Sequence, residues 1–267
     1  NIIALLKMNI KEVGKLPDNR KERLNNYIQL KGEVKISELE KIFSDVSTMT
    51  IRRDLEYLEQ QGEVLRVRGG VVSIEHVSKQ REEIYTQREA VNLEGKNIIA
   101  QKALHYVQGS RSIYIDSGTT MMAFAKLLSD GHYFIVTNGV NIALELARNS
   151  NASVNTVGGI INKETLSVSG ANSIEFVKNI NIDIAFIATS GFSVEDGFTN
   201  GYAAECELKR EVIQKSKKVI LLMDHTKIDQ NMLFTFARPQ DIHVLITDSP
   251  LPDTVRAEFE KHHVEIV

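Results

Sequence analysis

The chain has 267 residues, 42% hydrophobic and 25% charged, with four prolines, which fits one or two globular domains and excludes a disordered or low-complexity composition. No apolar run is long enough to cross a bilayer, no secretory leader pattern is visible, and the single Cys206 excludes an internal disulfide and a multi-cysteine metal site, so a cytoplasmic protein with no membrane partner, metal or cofactor is expected. The net charge of −3 excludes a broadly basic nucleic-acid coat but not a local reader: residues 1–80 carry 14 Lys/Arg against 12 Asp/Glu, the remainder 18 against 23.

Residues 1–19 read as a separate helix or arm that Pro17, Asp18 and Asn19 bring to an end. Residues 20–75 then carry the pattern of a small winged helix-turn-helix. RKERLNNYIQLKG gives an apolar side of Leu24, Tyr27, Ile28 and Leu30 and stops at Gly32. In VKISELEKIF, Ser37 is placed to cap a short helix containing Leu39 and Ile42. In VSTMTIRRDLEYLEQQG, Ser47 is the N-cap, because its hydroxyl can accept an orphan amide of the first turn. Spacings of four and three bring Ile51, Leu55 and Leu58 to one face. At about 100° per residue Arg53 falls opposite them, with Met49, Thr50, Glu56 and Tyr57 outward and Arg52 flanking. A second helix that buries aliphatics and presents Thr and Arg fits a major-groove reader. Asp54 is placed to orient an arginine by an ion pair. Gly62 ends the helix, and EVLRVRGGVV reads as a hairpin turning at Gly69 and Gly70, a wing whose Arg66 and Arg68 reach phosphates or a minor groove. The same pattern also suits a protein-binding module with solvated arginines.

Residues 76–95 read as a linker and residues 96–267 as an effector-binding and oligomerisation domain. A helix from about Leu93 carries Ile98, Ile99, Leu104 and Val107 inward and stops at Gly109. SIYID then runs into SGTTMMAFAKLL, so Ser117, Gly118, Thr119 and Thr120 lie between a strand and a helix N-terminus, where free amides and hydroxyls suit a phosphate or another anion. The loop lacks a Walker lysine and a GxGxxG pattern, and a tight turn capped by Ser/Thr is the alternative. Further apolar runs, YFIVT, VNTVGG, DIAFIATSG, KVILLMD, HVLITD and HHVEIV, are spaced by helical stretches and predict a mostly parallel α/β sheet covered on both faces. Ligands of such sheets bind at the C-terminal strand ends. That selects Asp116, Ser117, Gly118, Thr119, Thr120, Thr137, Asn138, Gly159, Ser190, Glu205, Lys209 and Lys227. Lys227 either neutralises the anion or is a solvated loop lysine. Glu205 and Lys209, four apart on one helix, either face the pocket or form a surface salt bridge.

Taken together, VSTMTIRRDLEYLEQQGEVLRVRGG, EGKNIIAQKA, IYIDSGTT, VTNG, VGG, Gly170, ECELKR and LLMDHTK resemble the DeoR family of bacterial sugar-metabolism repressors over about residues 20–267. The resemblance implies a homodimer or homotetramer that binds double-stranded operator DNA, with a sensor domain like the ribose-5-phosphate isomerase fold and a phosphorylated sugar or related metabolite as effector. It gives Ser47, Thr48, Thr50, Arg52 and Arg53 the reader role, with Arg66 and Arg68 in the wing. Ser117 to Thr120 and Lys227 would hold phosphate, and Asp116, Asn138 and Glu205 would meet the sugar. Arg68 stands where the family commonly has a histidine.

Three other functions compete with a repressor. An activator shares its architecture and an interaction module its helices. A sugar-phosphate isomerase would use Glu205 as base, but AFIATSG stands where such enzymes carry an acidic DGADE-like stretch. His262 and His263 lack a third ligand, so no metal site is expected.

Overall fold

A computed structural model describes residues 20–44, 46–67, 69–73, 84–108, 112–128 and 131–267. The arm expected at residues 1–19, Arg68 and the helix stop expected at Gly109 lie outside the described residues. The chain forms two compact units, Asn1–Gln80 and Arg81–Val267.

Among the described residues of the first unit, three helices pack on a small antiparallel sheet. Helix α1 (Arg20–Lys31) buries Leu24 and Ile28, and Gly32 at φ +76° ends it with its N–H on the Ile28 carbonyl at 2.8 Å. Leu30 is exposed rather than part of that side: six residues beyond Leu24, it has rotated about 240° away. Strand β1 (Glu33–Lys35) leads into α2 (Ile36–Ile42). This helix starts one residue before the expected serine cap, because the Ile36 amide is satisfied by the Gly69 carbonyl at 3.1 Å. Leu39 is buried and Ile42 exposed. Helix α3 (Thr48–Gln60) buries Ile51, Leu55 and Leu58 as the spacing predicts, and Asp54 with them. Strands β2 (Val64–Val67) and β3 (Gly70–Ser73) form the expected hairpin, and β1, which the sequence reading did not anticipate, pairs with β3. Val34, Val64 and Val71 close the core beneath the helices.

The second unit is a three-layer α/β fold. Helix α4 (Tyr85–Ala90) lies within the stretch read as a linker and belongs to this unit. Helix α5 (Leu93–Leu104) starts where expected, with the Asn92 side chain accepting from the Gly95 amide. The sheet is built from β4 (Ser112–Ile115), β5 (Phe134–Thr137), β6 (Ser153–Thr156), β9 (Ile182–Ala188), β12 (Ser216–Leu222), β14 (Val244–Ile246) and β15 (Glu265–Ile266). Their order is β15-β14-β12-β9-β4-β5-β6 and every pairing is parallel. Alternation along the strands loads both faces with apolar side chains. Ile113, Ile115, Ile184, Phe186, Ile220 and Leu222 meet α5, α6 (Thr119–Ala125) and α7 (Val140–Asn149). Tyr114, Ala185, Ile187, Val219 and Leu221 meet α8 (Ala171–Lys178), α9 (Ala203–Lys215) and α10 (Asp253–Lys261). Burial of each such large side chain contributes about 1.5–3 kcal/mol. Two small antiparallel additions lie outside the main sheet. They are the hairpin β7 (Ile160–Asn162) with β8 (Ser167–Ser169), and the sheet β10 (Gly191–Ser193), β11 (Gly197–Asn200), β13 (Phe234–Ala237).

Candidate functional site

The reader face is set by α3. Ser47 accepts from the Thr50 amide at 3.2 Å, and the Ser47 and Thr50 hydroxyls are 2.9 Å apart, so the helix start is capped from the residue expected. With the aliphatic face turned inward, Thr48, Met49, Arg52, Arg53, Glu56 and Tyr57 are exposed along one continuous side and Thr50 is half-buried. Asp54 does hold an arginine: Arg20 of α1 grips it side-on, Nε to Oδ2 at 2.6 Å and the terminal nitrogen to Oδ1 at 3.2 Å. The exposed Tyr57 ring carries the Lys21 ammonium 3.6 Å from its centre. In the wing, Arg66 lies against α3, its Nε on Glu59 at 2.6 Å and its backbone N–H on the same carboxylate at 3.0 Å. These two bonds hold the Glu59 carboxyl below its ordinary range. Arg66 thus ties the wing to the helix, a positioning contact the sequence did not reveal.

In the second unit the strand order reverses beside β4: the chain goes from β4 outward through β5 and β6, then returns to β9 on the other side. Crevices form at the carboxyl ends of strands at such a switch point. A cavity of about 20 Å³ lies there, lined by Ser117 after β4, by Ala188, Thr189 and Ser190 at the end of β9, and by Glu205 and Lys209 of α9. Arg88 of α4, Thr165 and Asn200 complete the lining. A larger open depression of about 390 Å³ beside β7 and β8 has none of these residues in its lining. The smaller cavity is where the polar groups converge.

Two buried carboxylates organise it. Asp116 accepts through Oδ2 from the Lys209 ammonium and from the Ala188 amide at 3.0 Å, while its Oδ1 is buried without a partner. Lys209 also donates to the Ala188 carbonyl at 3.0 Å. Glu205 accepts from the Thr165 hydroxyl at 2.7 Å, the Ser167 hydroxyl at 2.6 Å and the Asn200 amide at 3.3 Å. Glu205 and Lys209 are 2% and 3% exposed, which overturns the surface salt-bridge alternative: the shared helix face points inward, and the lysine's carboxylate partner is 93 residues away. Burial drives the Tyr114 phenol well above its usual range, with the charges of Asp116 and Glu205 adding to the effect. Positive charge gathers nearby on Lys96, which is 5% exposed and donates to the Arg88 and Val91 carbonyls. Desolvation holds Lys96 below its ordinary value. Asp224 opposes that shift, and Lys227 and Arg88 deepen it.

Residues 20–77 match the DeoR-like helix-turn-helix domain and residues 91–249 the DeoR C-terminal sensor domain. The chain is 34% identical to the uncharacterized HTH-type transcriptional regulator YulB of Bacillus subtilis, over 91% of this chain and 93% of that protein. The HTH-type transcriptional regulator GlpR of Haloferax volcanii is 35% identical over 83% and 86%. The chain belongs to the DeoR family. A putative aga operon transcriptional repressor of Escherichia coli O157:H7 is a further DeoR-like relative, 26% identical over 93% of this chain and 92% of that protein. A solved D-ribose-5-phosphate isomerase in complex with phospho-erythronic acid overlaps 51% of this chain and 54% of its own, at 17% identity and a TM-score of 0.39.

Of the sensor residues expected from the DeoR pattern, the structure brings Asp116, Ser117, Ser190, Glu205 and Lys209 to one cleft. Gly118, at φ +122°, turns the chain into α6, with Thr119 half-buried and Thr120 buried in its first turn. Lys227 sits in a short 3-10 turn after β12, near Lys96 and outside the cleft lining. Thr137 accepts from the Gly139 amide at 3.0 Å and shapes the turn after β5, and the Asn138 side-chain oxygen is buried without a partner. Gly159 does not line the cleft. A Cβ there would stand 2.5 Å from the Ser169 carbonyl oxygen, so glycine allows close packing on β8. Arg88, Thr165, Asn200 and Lys96 were missed. Only Lys96 had a sequence signal, inside EGKNIIAQKA.

Proposed function

We propose that this DeoR regulator represses a sugar-metabolism operon and that a phosphorylated sugar or related intermediate lowers its hold on operator DNA. The observation that carries the sensor half is the switch-point cleft. Buried carboxylates and hydroxyls suit the hydroxyls of a sugar, and Arg88 in the cleft lining, with Lys96 and Lys227 close to it, supplies positive charge for an anion. The names of the aga operon repressor and of its regulator relatives support the repressor half. In this reading Ser47, Thr48, Thr50, Arg52 and Arg53 face the major groove, and paired heads of a homodimer or homotetramer take two half-sites. Glu205 is not a base in this reading: its carboxylate is taken up by the Thr165 and Ser167 hydroxyls and the Asn200 amide, which hold it as part of the cleft wall. The cleft therefore binds and does not turn over.

A thermal-shift screen of phosphorylated sugars beside their unphosphorylated parents tests the sensor half. One phosphate ester should raise Tm where its parent does not, and equal response to both forms would remove the anion from the reading. Selection of a bound duplex from a random pool tests the reader. Arg53→Ala should weaken binding to the selected duplex by about 1–3 kcal/mol if it reads a base, and unchanged binding would end that assignment.

A further inference from the structure

The first turn of α3 carries a large apolar side chain that neither the core nor the cap uses. Met49 is 69% exposed. Measured around the helix at about 100° per residue, it lies roughly 150° from the centre of the buried Ile51, Leu55 and Leu58 face. Its neighbours in that turn are engaged elsewhere. Ser47 caps the helix, and Thr50 is half-buried with its hydroxyl 2.9 Å from that of Ser47. Thr48 and Met49 are therefore the first-turn side chains left facing outward, and exposed Arg52 and Arg53 follow one turn on. On a reader helix these N-terminal positions are the ones that reach base edges.

The thioether and methyl of methionine donate no hydrogen bond. Packing them against the amino and carbonyl edges of guanine, cytosine or adenine strips water from polar groups and puts nothing in its place. The major groove offers one apolar group on a base edge, the C5-methyl of thymine. An unbranched chain with three rotatable bonds can settle on that methyl without a shift of the helix. Arg53, four residues on, stands about 6 Å further along the helix, close to two base-pair steps.

We propose that Met49 is a specificity residue of the reader: it packs on the C5-methyl of a thymine in each half-site, within about two base pairs of the position that Arg53 takes. The inference rests on the major-groove reading of α3 given above and deepens it with a contact that selects a base by its apolar group.

The full chain and a duplex selected from a random pool provide the test. Each thymine of the selected duplex is replaced in turn by uracil, which pairs in the same way and lacks only the methyl. In the wild type one replacement per half-site should weaken binding by about three- to fivefold. Met49→Ala should bind the thymine and uracil forms of that duplex alike, while Met49→Leu, which keeps an apolar chain, should retain most of the discrimination. Arg53→Ala should bind every form more weakly and keep the thymine-to-uracil ratio, so that the two contacts are read separately. A wild type indifferent to every thymine methyl overturns the assignment and leaves the reader helix standing, as does a ratio that survives Met49→Ala. Failure to select any duplex removes the major-groove reading and this inference with it.

Discussion

Asp116 and Lys209 are both almost wholly removed from water and form an ion pair with each other. Effective desolvation of an ion costs several kcal/mol, and here the ammonium and the Ala188 amide offset it on the Asp116 side. Lys209→Met should therefore cost about 3–5 kcal/mol in urea unfolding, because it leaves a buried carboxylate alone, and adding Asp116→Asn should recover a good part of that. A neutral Lys209→Met would mean that the pair does not hold the cleft. Asp248 makes the corresponding pH test. Burial pushes its carboxyl up, but the Asn92 amide and the His225 ring and backbone N–H outweigh burial and bring it below the ordinary 3.8. A depressed folded-state value gives stability that is present above pH 3.8 and lost as the pH falls through the folded value. Asp248→Asn should be less stable than wild type at neutral pH. The gap should close below pH 3.8, as followed by circular dichroism.

At the scale of elements, what the sequence made legible was local. Ser47 and the Ile51, Leu55 and Leu58 spacing define α3 without help from the rest of the chain. The apolar runs that became β9 and β12 are long enough to declare themselves. Strands of three or four residues such as β1, β7, β10 and β13 were not legible, because their partners and not their own composition make them strands. The same holds in the cleft. Arg88 sits in a charged run with no feature that separates it from a solvated linker, and Glu205 and Lys209 show their spacing but not that Thr165 and Asp116 come to meet them. Two substitutions separate local from tertiary causes in the reader. Ser47→Ala should cost about 1 kcal/mol by freeing the first-turn amides of α3. Gly70→Ala should act through packing, since its Cβ would stand 2.8 Å from the Val34 carbonyl oxygen across the β1–β3 pair. The expected signature is loss of amide protection at β1 with α3 retained; loss of α3 as well would mean that the wing is needed for the reader helix to form.

For the whole molecule, a reader and a sensor in one chain commit it to reciprocity. If the metabolite weakens operator binding, the operator must weaken metabolite binding by the same factor, and a coupling of about 1–3 kcal/mol corresponds to roughly 5–150-fold. Titrating the phosphate ester selected by thermal shift into free protein and into protein saturated with its selected duplex should give two affinities in that ratio. The salt dependence separates the two ends of the linkage. Each phosphate contact on the duplex contributes a slope of about −0.9 in log affinity against log salt. Arg52→Ala should lower the duplex slope by about one unit if Arg52, exposed beside Arg53 on α3, takes a backbone phosphate, and should leave the metabolite affinity of the free protein unchanged. Lys227→Ala should do the reverse, because Lys227 lies in the sensor unit among the cations around Lys96. If Arg52→Ala alters metabolite affinity in the absence of DNA, the two units are coupled before either partner binds, and the linkage has to be rebuilt around a pre-existing equilibrium between two arrangements of the chain.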